Sequence, residues 1–423
     1  MLLAVAFCCA TAFAQEEPLR KLAVMSDVHI MAPELLVKEG KAFDNYIAND
    51  RKLLVQGPEL LDSAMAHIYA YRPQVLIITG DLTKDGERVS HEYLVNRYLK
   101  PAAAQGIRIF VIPGNHDVNN PHARIFDGDS AKRTATVSPA EFAAIYHDFG
   151  YGQALARDSH SLSYAVHIDP KTMLIAVDAC KYEENDFNRD ICVTGGRIKP
   201  ETMRFIKQQT EEAKQKGMKV VMMMHHGLVE HWKWQHRVMG EYLVDNYKRE
   251  AKRIADMGIK VVFTGHFHSQ DAASRSGITD IETGSTVSFP HPFRLIDVNQ
   301  KNSTMNIHTN LIERLGSMDG APESLKQKSE RYANSALSSV IEQMVPNKIP
   351  DTVKKECGKV LGEAYAIHLA GDERPSEDFK QRLKSACKHL RHYSWKWAFI
   401  MSKVGKYLST DTGTADNNLE IEY

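Results

Sequence analysis

Five short apolar segments of this sequence each end in a polar signature. They read KLAVMSDVH, VLIITGDL, IRIFVIPGNHD, KVVMMMHHG and IKVVFTGHFH. Patterns typical of helices lie between them, for example over residues 57–71, 201–216 and 245–257. Strands that alternate with helices predict a layered α/β fold. Two hairpin-like pairs, SYAVHIDPKTMLIAVDA and FRLIDVNQKNSTMNIHTNLI, add antiparallel strands, so we expect mixed sheets rather than a purely parallel one.

From about residue 314 onwards the sequence predicts helices only. Apolar residues recur at steps of three and four, as at Val353, Cys357, Val360 and Ala364. We therefore expect a small all-helical domain over 317–408, with packing as its favoured role, after a main domain over 15–316. The tail over 409–423 is polar, and we expect it to be frayed.

The N-terminus reads MLLAVAFCCATAFAQEEP, an apolar run that is too short to span a membrane. Ala12-Phe13-Ala14 fits a signal-peptidase site, so we expect a signal peptide over 1–14 and export to the periplasm or the medium. Bulky Phe7 before Cys8 makes a lipoprotein signal the second interpretation. No transmembrane segment is expected.

Charge and cysteine content narrow the partners. The 423 residues include 53 basic and 53 acidic side chains, and binding to a nucleic-acid polymer normally requires a basic excess, so we do not expect such a partner. The mature chain would keep four cysteines, Cys180, Cys192, Cys357 and Cys387. Their even number permits disulfides, and free buried thiols are an equal alternative.

The residues that follow the apolar segments are of metal-binding types. They are Asp27 and His29, Asp81 after Gly80, Asn115 and His116 after Gly114, His225, and finally His266 and His268. The carboxyl ends of strands in an α/β sheet converge on one edge, so these side chains can meet there. The pairs spaced by two residues would face the same side if the extended conformation persists. With His116 left over, the set suits two divalent metals bound through nitrogen and oxygen, and iron, manganese and zinc all fit it.

The ordered series Asp27-x-His29, Gly80-Asp81-(x4)-Gly86, Gly114-Asn115-His116-Asp117, His225 and Gly265-His266-x-His268 resembles the calcineurin-like metallophosphoesterase superfamily over about residues 20–312. The resemblance implies a four-layer sandwich of two mixed β-sheets flanked by helices, with a dinuclear metal centre at one edge. One metal would take Asp27, His29, Asp81 and His268, and the second would take Asp81, Asn115, His225 and His266. His116 would act as the catalytic residue beside the substrate, assisting the departing alkoxide while a hydroxide between the metals attacks phosphorus.

The sequence departs from this family at Lys84. Many relatives carry an acidic residue three positions after the bridging aspartate, where it orients the histidine that corresponds to His116. Asp85 or Asp117 could take this role here, and the sequence leaves the choice open. Purple acid phosphatases place a tyrosine ligand at the same position, so we do not expect a ferric-tyrosinate centre.

The segment GDLTKDGERVSHEYL and the exported α/β-plus-helical layout look most like the bacterial cyclic-nucleotide phosphodiesterase branch of the superfamily. We therefore expect hydrolysis of a small phosphodiester, with a phosphomonoesterase or nucleotide-type phosphatase as the alternative. A third hypothesis is a non-catalytic binding protein, whose expected signature is a lost ligand. None of the ligands is missing from this sequence.

Contacts with the substrate are less strongly indicated. Asn115 and His226 are candidates, although His226 could equally pack in the interior. The inserts over 31–58, which hold Asn49, Asp50 and Arg51, and over 118–160 could shape a pocket or lie in solvent. His231 and His236, which flank two tryptophans, could stack on a base or anchor their loop.

The three methionines before His225 are predicted to belong to a core strand rather than to a copper site.

Overall fold

The computed structural model describes residues 18–48, 50–346, 348–411, 413 and 415–423. The expected signal peptide and Asn49 lie outside these residues. Among the described residues, no helix is both long enough and apolar enough to cross a membrane.

Strands and helices alternate up to about residue 311, and helices followed by one more strand come after them. The strands are β1 (Lys21–Met25), β2 (Leu36–Lys38), β3 (Val75–Ile78), β4 (Arg108–Val111), β5 (Arg124–Asp127), β6 (Ser130–Arg133), β7 (Ala156–Arg157), β8 (Tyr164–Asp169), β9 (Thr172–Val177), β10 (Lys219–Met224), β11 (Val261–Thr264), β12 (Asp271–Arg275), β13 (Ile278–Glu282), β14 (Pro292–Asn299), β15 (Thr304–Leu311) and β16 (Asn418–Glu422). The helices are α1 (Lys41–Ala48), α2 (Gly57–Tyr71), α3 (Arg88–Leu94), α4 (Lys100–Ala104), α5 (Pro139–Ile145), α6 (Pro200–Gln215), α7 (Gln235–Val238), α8 (Tyr247–Asp256), α9 (Leu325–Met344), α10 (Asp351–Leu369), α11 (Glu377–Arg391) and α12 (Trp395–Leu408). A π-helical turn over Val95–Leu99 joins α3 to α4.

Two mixed sheets form the framework. One has six strands in the order β16-β15-β14-β1-β3-β4, and the other has seven in the order β12-β13-β11-β10-β9-β8-β7. The strands β1, β3 and β4 are parallel, as are β9, β10, β11 and β13, while β14 and β15 form the expected antiparallel hairpin. The predicted α/β sandwich of mixed sheets with flanking helices and a helical C-terminal region is confirmed.

The apolar segments are strands because both faces of each sheet are covered. Every residue of β3 is buried, and so is every residue of β10 after Lys219. Met222, Met223 and Met224 have no exposed surface and alternate between the cores on the two faces of their sheet. These methionines are therefore core filler, as expected, because a flexible thioether adapts to irregular gaps.

The two inserts pair with each other, which the sequence did not indicate. Strand β2 from the first insert pairs in parallel with β5 from the second, and β6 completes a three-stranded sheet. Phe43 and Phe126 pack beneath it at 5.1 Å between ring centroids. A capping box begins α5, with Ser138 and Glu141 each bonding the other's backbone amide.

The expectation of a frayed tail is wrong for residues 418–423. Strand β16 pairs antiparallel with β15 and forms the edge of the six-stranded sheet. Leu419 and Ile421 pack against the core, and Tyr423 is buried. The period-two alternation of Leu419 and Ile421 is a strand signal that the polar residues around it obscure. The partition into domains at residues 316 and 408 stays a prediction.

The four described cysteines are all free thiols, so the alternative without disulfides holds. Cys180 and Cys357 are buried, and Cys192 and Cys387 are partly buried. Burial raises the pKa of Cys357 to about 12, so that thiol stays protonated at neutral pH.

Candidate metal centre

The five strand-end signatures meet at one edge of the two sheets. Strands β1, β3 and β4 of the first sheet and β10 and β11 of the second end just before them. The seven side chains predicted as metal ligands are all buried, with at most 5% of their surface exposed: Asp27, His29, Asp81, Asn115, His225, His266 and His268. The structure therefore brings together all seven residues that the sequence singled out.

The backbone at this edge does not stay extended, contrary to the expectation for the residue pairs. Asp27, His29, Asp81, His266 and His268 have positive φ angles, between 38° and 78°. This left-handed conformation is costly for residues other than glycine, of order 1–3 kcal/mol each, and it is concentrated at functional sites. The paired side chains converge because the chain turns sharply at each of them.

Motif glycines allow the loops to approach one another closely. A Cβ on Gly265 would overlap Oγ of Ser26 and lie 2.5 Å from Oδ2 of Asp27. A Cβ on Gly114 would overlap the carboxylate of Asp81. The glycines in GNHD and GHFH are therefore required by space, because the backbone lies directly against the metal-binding side chains of other strands.

One group of donor atoms joins Asp27, His29 and His268. Nε2 of His29 lies 3.3 Å from Nε2 of His268 and 3.7 Å from Oδ1 of Asp27. Nε2 of His268 lies 3.2 Å from the same Oδ1 atom. Three ligand-type atoms face a common point, which is the arrangement that a bound cation requires.

A second group joins Asp81, His225 and His266. Nε2 of His225 lies 3.3 Å from Oδ2 of Asp81 and 3.2 Å from Oδ1 of Asn115. The same Oδ2 atom of Asp81 lies 3.6 Å from Nε2 of His29 in the first group. Asp81 thus lies between the two groups, where a carboxylate could bridge two ions.

Neighbouring groups fix the orientation of the donors. Nδ1 of His225 donates to the carbonyl of Thr79 at 2.9 Å, which leaves Nε2 directed at the centre. Nδ1 of His268 bonds Oγ of Ser288 at 3.0 Å. Oδ2 of Asp27 accepts the amide of His266 at 2.9 Å, which leaves Oδ1 directed at the centre.

The donor set fits two divalent cations. Oδ1 of Asp27 and Nε2 of His266 are buried without a hydrogen-bond partner, a costly arrangement that a cation would relieve. Burial lowers the pKa of His268 to about 4, and burial with the nearby Lys52 lowers that of His29 well below its ordinary value. Both imidazoles are therefore neutral, which is the form that binds a metal.

His116 lies beside this group with its side chain 26% exposed. Its Nδ1 lies 2.9 Å from Oδ1 of Asp85, and its backbone amide donates to Oδ1 of Asp81. Asp85 is therefore the orienting partner that the sequence left open. Asp117 instead accepts the amides of Leu82 and Gly114.

Lys84 stabilises the pair of Asp85 and His116 from the interior of the protein. Its ammonium is fully buried and lies 2.6 Å from Oδ2 of Asp85 and 2.8 Å from Oε1 of Glu87. Although burial raises the pKa of Asp85, the charge of Lys84 and the bond from His116 hold it well below its ordinary value. Lys84, which departs from the family pattern, thus keeps Asp85 ionised. Because this position holds lysine and not tyrosine, it supplies no phenolate ligand.

His226 is fully buried beside the centre. One ring nitrogen, Nε2, donates to the carbonyl of Thr194 at 2.9 Å, and the ring lies 4.5 Å from that of His266. Burial lowers the pKa of His226 to about 3, so the imidazole is neutral. These contacts favour packing, and a contact with substrate phosphate stays a prediction.

Two basic residues of the first insert approach the centre, and sequence reasoning singled out only Arg51. Nη1 of Arg51 donates to the hydroxyl of Tyr365 on α10 at 2.7 Å. That hydroxyl also lies 3.4 Å from the carbonyl of Phe267, between the two histidines of the last motif. Lys52 is 8% exposed and pairs with Asp50 at 3.6 Å. The helical region therefore reaches the edge of the metal centre through Tyr365.

The loop that holds His231 and His236 is anchored inside the protein. His231 is buried and bonds Asp271, and Trp232 is only 1% exposed. The anchoring interpretation therefore applies to His231 and Trp232. The burial of Trp232 excludes its stacking on a base.

Residues 20–270 match the family model described as calcineurin-like phosphoesterase, and this range holds all five motifs. The chain belongs to the calcineurin-like phosphoesterase family. Calcineurin-like phosphoesterases use a dinuclear metal centre, which agrees with the two donor groups joined at Asp81. The resemblance inferred from the motifs is thereby confirmed at the level of the family. No curated protein matches the sequence.

Several solved structures are similar to this chain at low identity. A dimetal phosphatase from Danio rerio is 13% identical, with 70% of this chain and 97% of that chain covered and a TM-score of 0.47. A purple acid phosphatase from yellow lupin, Lupinus luteus, is 11% identical, with 70% and 52% covered and a TM-score of 0.43. GAP50, an anchor in the inner membrane complex of Plasmodium, is 10% identical, with 69% and 84% covered and a TM-score of 0.37. Likenesses this distant carry no argument about the substrate.

Proposed function

We propose that this protein is a metal-dependent phosphodiesterase that hydrolyses a small phosphodiester such as a cyclic nucleotide. The observation that carries the proposal is the position of His116, which is partly exposed at the rim of a buried group of seven N and O donors. A reacting phosphate that contacts the donors would also lie within reach of this imidazole.

Seven residues would hold two cations. One ion would take Asp27, His29, Asp81 and His268, and the other Asp81, Asn115, His225 and His266. The shared Oδ2 of Asp81, 3.6 Å from His29 and 3.3 Å from His225, supports the bridging role. When bound, a pair of such ions activates water and neutralises charge on the phosphoryl oxygens.

The side chains around the ions would position the substrate and supply a proton. Nδ1 of His116 is held by Asp85, so Nε2 is free to donate a proton to the leaving oxygen. Burial lowers the pKa of His116, but the charges of Asp81 and Asp85 raise it to a net value above the ordinary one. This shift increases the fraction of the protonated, donating form near neutral pH.

Asn115 would serve both the metal and the substrate. Its Oδ1 atom faces Nε2 of His225 at 3.2 Å, so its amide NH₂ is directed elsewhere and could donate to a phosphoryl oxygen. The reaction needs no covalent intermediate with the protein, because water attacks and the alkoxide leaves with the proton of His116.

Charge at the rim favours a diester over a monoester. A phosphodiester carries one negative charge near neutral pH, whereas a monoester carries up to two. Of the two basic residues of the first insert near the centre, Lys52 is paired with Asp50, whereas Arg51 bonds the neutral hydroxyl of Tyr365 and keeps its charge. The rim therefore offers one positive charge without an acidic partner, which matches the single charge of a diester better than the two charges of a monoester.

Side-by-side rates on bis-aryl and mono-aryl phosphates test this proposal. We expect the metal-reconstituted protein to hydrolyse the diester with the higher kcat/KM, and the His116→Ala variant to lose most of that activity at an unchanged metal content. Clearly faster turnover of the monoester would replace the proposal with the phosphomonoesterase alternative. A screen of cyclic nucleotides, glycerophosphodiesters and nucleotides would then identify the substrate class.

A further inference from the structure

A separate cluster of ligand-type side chains lies where the helical region meets the seven-stranded sheet. Asp271 begins β12, His368 lies in the last turn of α10, and Glu373 follows that helix. Nδ1 of His368 lies 2.5 Å from Oε1 of Glu373 and 3.7 Å from Oδ2 of Asp271. The three side chains are buried, with at most 4% exposure, and one ligand atom from each lies within 4.8 Å of the others.

Several polar atoms in this cluster are buried without a hydrogen-bond partner. They include Oε2 of Glu373, the second oxygen of a carboxylate that already faces His368. The other oxygen of Asp271, Oδ1, accepts Nδ1 of His231 at 2.7 Å. Asp271 is therefore oriented by a histidine, while Glu373 keeps one free oxygen inside the protein. Buried carboxylate oxygens without partners are costly, so a missing cation would explain the arrangement.

Acidic side chains outnumber basic ones around the cluster. Five carboxylates lie in or next to it, from Asp271, Asp280, Glu282, Glu373 and Asp416, against the cationic forms of His231, His368 and Arg294. The guanidinium of Arg294 donates to three backbone carbonyls and not to a carboxylate.

Burial raises the pKa values of two acids beside the cluster. Burial raises the pKa of Glu282 to about 7, although the charge of His231 partly opposes the shift. Burial and the charge of Asp271 raise the pKa of Asp416 to about 8. Both acids therefore hold a proton more readily than they would in water.

We propose that Asp271, His368 and Glu373 bind a third metal ion that joins the helical region to the phosphoesterase fold. One imidazole nitrogen and two carboxylates suit a divalent transition metal such as Zn²⁺ or Mn²⁺. Ligands at about 2.1 Å from such an ion stand about 3.4 Å apart, so the observed separations require only small shifts. The ion would displace a proton shared between His368 and Glu373. The full burial of its ligands indicates a structural role.

Counting the metals bound to the full-length protein tests this proposal. After reconstitution with Zn²⁺ or Mn²⁺ and removal of free ions, elemental analysis should give three ions per wild-type chain. Glu373→Gln should bind two and keep its phosphoesterase activity, and it should lose the additional rise in Tm that excess metal gives the wild type. Glu377→Gln, at a position where the side chain is 81% exposed, is the matched control and should bind three.

Two results would overturn the proposal. One is a wild-type protein that binds only two ions, as expected if a shared proton joins His368 and Glu373. The other is a Glu373→Gln variant that keeps all three. If this variant does not fold, anomalous diffraction from wild-type crystals grown with Mn²⁺ decides the question. A peak between Asp271 and His368 supports the third site, and its absence with two peaks at the dinuclear centre contradicts it.

Discussion

Oδ1 of Asp85 accepts a hydrogen bond from Nδ1 of His116 at 2.9 Å, while Oδ2 of the same carboxylate binds Lys84 at 2.6 Å and the hydroxyl of Tyr46 at 2.8 Å. The aspartate stands four positions after Asp81 rather than three. Lys84 occupies the third position after Asp81 and keeps Asp85 ionised. The histidine is thus oriented by a residue that the family pattern does not place there.

Asp85→Asn should lower kcat by about 10- to 100-fold with little change in KM, because His116 loses the partner that orients it. The alkaline limb of the pH–rate profile should also move to lower pH, since the carboxylate that raises the pKa of His116 is gone. Steady-state kinetics from pH 5 to 9 measure both effects. The matched control is Asp148→Asn, which removes a similar 2.8 Å contact with His147 at a carboxylate that is 77% exposed. An unchanged kcat in Asp85→Asn would refute the positioning role.

Gly265→Ala should destabilise the fold by about 1–3 kcal/mol and weaken metal binding, because the new methyl group overlaps Ser26 and displaces Asp27. Chemical denaturation and metal titration measure the two effects. A methyl group at Gly240 would meet no other atom within 4 Å, so Gly240→Ala is the control. Equal stability and metal affinity of both variants would show that close approach at Gly265 is not needed.

Tyr365→Phe should raise KM several-fold, up to about tenfold, because Arg51 loses a hydrogen bond that holds it near the metal centre. We expect a smaller change in kcat, since Tyr365 does not contact the reacting atoms. Kinetics on the best diester substrate separate the two constants. Tyr393→Phe, at a side chain that is 48% exposed, serves as the control. If KM is unchanged in Tyr365→Phe, the helical region does not influence substrate binding through Arg51.

His91 predicts a pH dependence of stability. Burial lowers the pKa of His91 to about 3, and its ring bonds the hydroxyl of Tyr146 and the carbonyl of Asp117. The folded pKa lies below the unfolded value of about 6.5, so the unfolded state binds the proton more readily. This contribution is present at neutral pH and is lost as pH falls below 6.5.

Between pH 7 and pH 5, His91 should account for a loss of about 2 kcal/mol in the free energy of unfolding. His91→Gln should remove this part of the pH dependence, because the amide can keep both hydrogen bonds without titrating. Urea denaturation of both proteins at the two pH values provides the comparison. Exposed His67 is the control, and His67→Gln should behave as the wild type does. An identical loss in His91→Gln would contradict the assignment.

The sequence was most informative where a residue's position along a strand determines its role. Residues such as Asp81 and His225 follow apolar segments, and parallel strands bring such ends to the same edge, so the sequence alone predicted that these side chains meet. The helix over 57–71 was predicted with the same bounds that the structure has. These features depend on local periodicity, which a single sequence records.

Contacts between distant segments could not be predicted. The pairing of Leu36 with Phe126 depends on two inserts that meet only in the folded chain. The choice of Asp85 over Asp117 depends on the turn after Asp81, where the backbone is left-handed and not extended. The cluster of Asp271, His368 and Glu373 joins two parts of the chain about 100 residues apart. Each has a physical reason, but none leaves a periodic signal in the sequence.

The most direct test of the central claim compares wild type with Asp81→Asn, because Asp81 lies between the donor groups of both cations. Metal content and hydrolysis of a bis-aryl phosphate should be measured on the same reconstituted samples. We expect the variant to bind at least one ion fewer and to lose more than about 100-fold in kcat/KM, a larger effect than that of a residue that only orients a ligand. A variant that keeps both its metal content and its diesterase activity would contradict a dinuclear centre bridged by Asp81.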